Sequence, residues 1–190
     1  YQQGGERFER IALTTPGTVR LQSVGIDFKA YRASPSKYQG WFLSSDALLN
    51  RIWYAGAYTL QLDMVPPGTQ NKNPEPAVVD GAKRDRAIWS GNLLVQGPGI
   101  WLTLGTNGAD YVKQSLLAIA QSADSSGALP GTKQVNAPGA LIFSESYSMD
   151  AANAIVDYYR YTGDHRFGKQ MLPKVEKQLE FIASLVDGRG

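Results

Sequence analysis

Cysteine is absent from this 190-residue chain, and histidine occurs once, as His165. Neither disulfides nor thiolate metal sites can therefore form. A metal site would have to be built from oxygen ligands, and no EF-hand spacing is present. No cofactor is expected. Long apolar runs are missing as well: none approaches the roughly 18–20 residues needed to span a bilayer. Excess charge is missing too. The net charge of +2 sets up no strong field for nucleic acid or an anionic membrane, so neither is expected as a partner. No Asn-x-Ser/Thr triplet occurs, so N-glycosylation is not expected.

What is present is an ordinary globular balance, with 43% hydrophobic and 19% charged residues. The length suits one domain, or one small unit plus one medium unit. Tyrosine (10), tryptophan (4) and phenylalanine (6) are plentiful. Sugar sites use aromatic platforms, and so do many cores. The chain opens at Tyr1 with no Met and no signal-like segment, which reads as a processed protein or a piece of a longer one.

The first part reads as strand. Residues 7–13, 19–24 and 26–31 alternate apolar and polar side chains, with a turn at Thr15-Pro16-Gly17-Thr18. Three strands are too few for a stable sheet, so they need partners elsewhere. After Ala33-Ser34-Pro35-Ser36-Lys37 the pattern changes. Ser44-Ser45-Asp46 offers an N-cap, and Leu49, Ile52, Trp53, Ala57, Leu60 and Met64 define a helix over 46–64. Residues 66–80 form a long loop, of a length that is usually functional.

Further helical stretches follow. Residues 91–104 are apolar, with Gly97-Pro98-Gly99 predicting a kink or two short helices. Residues 109–123 carry Tyr111, Val112, Leu116, Ile119 and Ala120 on one face. A second long loop covers 124–144. Residues 146–161 align Met149, Ala152, Ile155, Val156 and Tyr159, and Gly163 sits at the C′ position. His165 reads as an exposed turn residue, and Pro173 as the first turn of a last helix. Strands followed by helices imply two units, not βαβ winding.

The densest chemistry lies in Asp80-Gly81-Ala82-Lys83-Arg84-Asp85-Arg86-Ala87-Ile88-Trp89-Ser90-Gly91-Asn92. Alternating charge beside an aromatic is what a polar pocket looks like in sequence; a solvated loop looks the same. This motif follows Gly40-Trp41-Phe42-Leu43-Ser44-Ser45-Asp46 and Leu49-Asn50-Arg51-Ile52-Trp53, and precedes Tyr161-Thr162-Gly163-Asp164. In that order these segments resemble the α-L-rhamnosidases of glycoside hydrolase family 78. The resemblance runs from about Glu6 onward.

The resemblance implies a mainly α fold: part of an (α/α)6 six-hairpin toroid, preceded by strands from the end of a β-sandwich. Residues 1–38 would be those strands, and 39–190 the N-terminal part of the toroid. It implies an inverting glycosidase, secreted, acting on terminal α-L-rhamnosyl or related glycans. About five helices are countable where twelve are needed, so the remainder of a longer chain, or another subunit, is an expected partner beside the carbohydrate substrate. The alternatives are a non-catalytic carbohydrate-binding relative and a structural helical module.

In the family the motif runs Asp-Cys-Pro-Gln-Arg-Asp-Glu-Arg, two residues, then Trp-x-Gly-Asp. Asp80, Arg84, Asp85, Trp89 and Gly91 match it. Gly81-Ala82-Lys83 replaces Cys-Pro-Gln, the general-acid Glu has no counterpart, and Asn92 stands for the last Asp. The resemblance implies that Asp80, Arg84 and Trp89 bind substrate. Trp89 equally reads as core filling between helices. The catalytic candidates are Asp85 and Glu145. An acid needs a raised pKa, whereas Arg84 and Arg86 beside Asp85 favour its charged form, so Asp85 also reads as an ion-pair partner. Glu145 also reads as a first-turn helix acid.

Overall fold

A computed structural model describes residue 8 and residues 10–25, 27–83, 85–137 and 142–186. Its core is a set of five α-helices, with two pairs of very short strands gathered at one end.

The described residues before Pro35 are irregular, extended and mostly exposed; none lies in a strand. The strands expected over 7–13, 19–24 and 26–31 therefore do not form there. Residues 1–7, 9 and 26 lie outside the described set. The reason is the one their number implied: alternation without a paired neighbour gives no ladder. Tyr31 N–H donates to Met64 O at 2.8 Å and Ala33 N–H to Gln61 Oε1 at 2.6 Å, which ties this segment to the helical body.

The first helix, α1, is Ala47–Asp63. Asp46 starts it, its carboxylate accepting from the amides of Leu48 and Leu49. Only Ala57, Gln61 and Asp63 of α1 are buried; Leu49 and Ile52 of its predicted apolar face are exposed. Beyond α1, β1 (Met64–Val65) pairs antiparallel with β2 (Ala77–Val78). The pairing closes the loop between them and buries Met64, Val65 and Val78 almost completely.

Next come β3 (Ala87–Trp89) and α2 (Ser90–Leu104). α2 runs as one helix through Pro98, so the alternative of two short helices at Gly97-Pro98-Gly99 does not occur. Pro98 withholds an amide from the Leu94 carbonyl, at a cost of about 3 kcal/mol or more in a helix interior. The burial of Leu93, Ile100, Trp101 and Leu104 between neighbouring helices offsets that cost.

α3 (Thr106–Gln121) buries Val112, Leu116, Ile119 and Ala120, the face its periodicity marked. A loop carrying β4 (Thr132–Gln134) leads to α4 (Glu145–Thr162), and β4 pairs antiparallel with β3. α4 ends at Gly163, whose φ of 65° is the left-handed C-cap conformation. Its buried face is Ser148, Ala151, Ala152, Ile155 and Tyr158; Met149 and Val156 are exposed instead.

α5 is His165–Leu185, so Pro173 lies inside it, not at its start, and His165 is its exposed first residue. The Asp164 carboxylate caps it by accepting from Phe167 N–H. Phe167 and Met171, both fully buried, hold the helix together upstream of the proline.

α2 packs most extensively on α4, then on α3, while α4 also packs on α5 and α1 lies on α2. Helices alternate in chain order between two layers, with α2 and α4 side by side. No described helix is long and apolar enough to cross a membrane.

Candidate functional site

β3 and the turn before it bring the charged motif to the end of the bundle where α2 and α4 begin. Asp80 pairs with Ala87 across that turn: its amide donates to Ala87 O at 3.0 Å, and its Oδ1 accepts from Ala87 N–H at 3.1 Å. This holds the two ends of the turn together.

Asp85 and Arg86 both adopt left-handed backbone, with φ of 47° and 54°. For residues other than glycine this costs on the order of 1–3 kcal/mol each, and such strain collects at functional sites. Arg86 holds the turn in shape. Its Nε donates to Gln70 Oε1 at 3.2 Å, its Nη1 to Ala82 O at 3.3 Å, and its own carbonyl accepts from Gln70 Nε2 at 2.6 Å. The guanidinium is thus spent on the loop before β2 and on the turn itself. Asp85 is exposed at the tip. Arg84 lies outside the described residues.

Beneath the turn lies Asp63, which the sequence reading did not single out. It is 7% exposed, and its Oδ2 accepts from Gln96 Nε2 at 3.1 Å. Gln96 Nε2 also donates to Val79 O at 2.9 Å, and Val79 N–H donates to Asp63 O at 2.8 Å. The end of α1, the residue after β2 and the middle of α2 are joined through these two side chains. Burial pushes the Asp63 carboxyl up to about 6; the Gln96 hydrogen bond and the Arg86 charge pull it down, and Asp80 pushes it further up. Burial likewise lowers the Arg86 pKa, against the opposing pull of Asp63 and Asp80.

Trp89 ends β3, half-buried, with its ring edge-on to Tyr147 of α4 (centroids 5.7 Å apart, planes at 86°). Its indole Nε1 is buried with no hydrogen-bond partner among the described residues. Ser90, at the start of α2, donates through Oγ to Tyr147 O at 2.7 Å. Gly91 lies against the Tyr147 ring, where a Cβ would come within 2.7 Å of it. That close approach explains the glycine after Trp89-Ser90. Glu145, two residues before Tyr147, is the exposed first residue of α4, where the helix dipole favours a carboxylate.

The site therefore gathers Asp80, Asp85, Arg86 and Trp89 from the motif around one turn and one short strand, and joins Trp89 to the first turn of α4 through Tyr147. Asp63, Gln96, Gln70 and Tyr147 were missed. Their one sequence signal was a carboxylate set between Leu62 and Met64 at the end of an apolar helix. No group of three His, Cys, Asp or Glu able to hold a metal is found among the described residues.

Solved structures share this helical body. A rhamnosidase from Klebsiella oxytoca with rhamnose bound superposes with a TM-score of 0.62 at 24% identity, over 76% of this chain and 26% of that one. The family 78 rhamnosidase of Bacillus sp. GL1 superposes with a TM-score of 0.65 at 21% identity, over 84% of this chain and 15% of that one. The fold is that of part of a family 78 rhamnosidase. The mainly helical toroid segment expected from the motifs is thus present. At these identities the likeness is one of fold, and the chain spans about a quarter or less of the length of these rhamnosidases. No family model matches the sequence, and no curated protein matches it.

Proposed function

We propose that this chain forms part of the sugar site of a rhamnosidase-type glycoside hydrolase, which releases terminal α-L-rhamnosyl or related units with inversion. The observation that carries the reading is the fold shared with rhamnosidases, at whose loop end the Asp80–Trp89 strand and turn lie. Asp80, anchored to Ala87 through Oδ1, accepts from sugar hydroxyls, and Arg84 donates to their oxygens. Trp89 and Tyr147 supply the apolar wall. Inverting hydrolysis needs an acid and a base roughly 6.5–9.5 Å apart with a water between them. Asp85 at the strained tip and Glu145 at the start of α4 are the candidates. Asp63 has the raised pKa of an acid, but its burial keeps it from touching a substrate, and its role is to hold Gln96 under the turn.

Residues 1–38 belong to a preceding β-sandwich and 39–190 to the toroid. The exposed apolar residues Leu48, Leu49, Ile52, Val95 and Leu102 meet the rest of a longer chain or another subunit. Polymeric substrate places the enzyme outside the cell.

The test is release of rhamnose from α-L-rhamnosides or related uronic-acid glycans by the intact polypeptide. No release by a folded protein sinks the reading. A non-catalytic sugar-binding role is favoured by one observation, the missing Glu after Asp85. It predicts rhamnose binding at Asp80 and Trp89 without turnover.

A further inference from the structure

A recess of about 410 Å³ lies on the other side of β3 from Trp89. Side chains alternate across a strand, so Ile88 turns away from the Trp89–Tyr147 pair, and it lines this recess. Leu117 and Ala118 of α3 complete an apolar floor. Beside that floor stand two amides from α3, Gln121 and Gln114, the second of which also donates to Asp110 Oδ1 at 3.3 Å. The volume falls in the ~300–1,000 Å³ range of pockets that take small ligands.

The wall is built, not incidental. Asn71 and Asn136 lock two loops together: Asn71 Nδ2 donates to Val135 O at 2.9 Å, and Asn136 Nδ2 donates to Asn71 O at 2.8 Å. Asn71, Lys72 and Asn136 all take left-handed backbone, with φ of 50°, 52° and 45°. Strain kept at three positions by reciprocal hydrogen bonds marks a wall whose shape is maintained.

The chemistry selects the ligand. A primary amide both donates and accepts, as a hydroxyl does. The formal charges in the lining balance, Glu75 against Lys133, and the Lys133 ammonium already donates to Ala137 O at 3.0 Å. With the charges balanced, no net field favours an anion over a neutral ligand. A sugar ring offers hydroxyls to the amides and a C–H face to Ile88, Leu117 and Ala118.

We propose that this recess is a second carbohydrate site, which takes one neutral glycosyl unit through Gln114 and Gln121. It would hold a glycan at a point separate from the Asp80 site. The choice of rhamnose as probe rests on the proposed function; the recess itself does not.

The experiment is an amide NMR titration of the full 190-residue chain with L-rhamnose and a neutral rhamnose-containing disaccharide. The side-chain amides of Gln114 and Gln121 shift on addition. The pair Gln114→Ala and Gln121→Ala weakens this titration about tenfold or more, since two hydrogen bonds are lost. Ala118→Trp, which fills the recess, abolishes it, and the same spectra report whether each variant folds. Asp80→Asn leaves it unchanged. Absence of shifts at the recess amides, or shifts that survive in both recess variants, overturns the proposal. The Asp80 site is read separately, from the backbone amides of Asp80 and Trp89 and from rhamnoside hydrolysis. A recess titration with those silent supports the recess and sinks the sugar reading of the Asp80 site.

Discussion

Gln96 Nε2 donates to Asp63 Oδ2 at 3.1 Å in the interior, so the stability of the loop end depends on the protonation of one buried carboxyl. The folded pKa, about 6, lies above the ordinary value of 3.8. Between those values the folded state binds more protons than the unfolded chain, so stability falls as pH rises from about 4 to about 6 and is then level. Asp63→Asn keeps an acceptor for Gln96 and removes the titration. Each pKa unit corresponds to about 1.4 kcal/mol before solvent screening. The variant is expected to be more stable than the parent above pH 7 by on the order of 1–2 kcal/mol, with the difference gone near pH 4. Urea unfolding across that range measures it. A variant with the parent's slope would remove Asp63 as the cause.

Local signals reached most of the helices and little of the site. Asp46 started α1 and Gly163 ended α4 because caps act within one turn. β3 was not read as a strand because it exists only by pairing with Thr132–Gln134, over forty residues later. Pro98 and Pro173 misled for a related reason: their local cost is outweighed by burial against other helices. Asp80, Asp85 and Trp89 were visible as a cluster, whereas Asp63 is one more polar residue on α1 until Gln96 arrives from α2. The strained φ values at Asp85 and Arg86 leave no trace in composition.

Lys113 Nζ lies 2.7 Å from Asp164 Oδ2, and the same carboxylate caps α5 through Phe167. The Lys113 hydrogen bond is the main force holding the Asp164 pKa low, and it raises that of Lys113. Stability from this carboxylate is present above the unfolded value near 3.9 and is lost as pH falls through the lower folded value. Asp164→Ala is expected to cost about 1–2 kcal/mol, since cap and ion pair both go. Lys113→Ala should cost less, about 0.5–1 kcal/mol. A double-mutant cycle by thermal unfolding checks the coupling; strictly additive losses would show that the two groups act independently.

Gly91 faces the Tyr147 ring with no room for a methyl group. Gly91→Ala forces the ring from its edge-on contact with Trp89 and is expected to destabilise the protein by about 1–3 kcal/mol, the usual cost of overpacking. Tyr147→Ala in the same background makes the space and should recover part of the loss. Denaturant unfolding of both variants decides it. A double variant as unstable as the sum of the singles would place the clash elsewhere.

Asp85 combines the two properties in conflict at this site, a left-handed backbone and a candidate catalytic carboxylate. Asparagine tolerates that conformation better than most residues and has the same shape. Asp85→Asn should therefore leave the unfolding midpoint within about 0.5 kcal/mol of the parent. Loss of a general acid or base lowers kcat about 10²–10⁴-fold. Asp85→Gly should gain about 0.5–1 kcal/mol by relieving the backbone while losing the same activity. Asp80→Asn, at a binding position, should raise KM more than it lowers kcat. Rhamnoside hydrolysis by the intact polypeptide, measured beside unfolding for all three variants, separates these roles. Full activity in Asp85→Asn would move proton transfer off this turn and leave Glu145 as the remaining candidate.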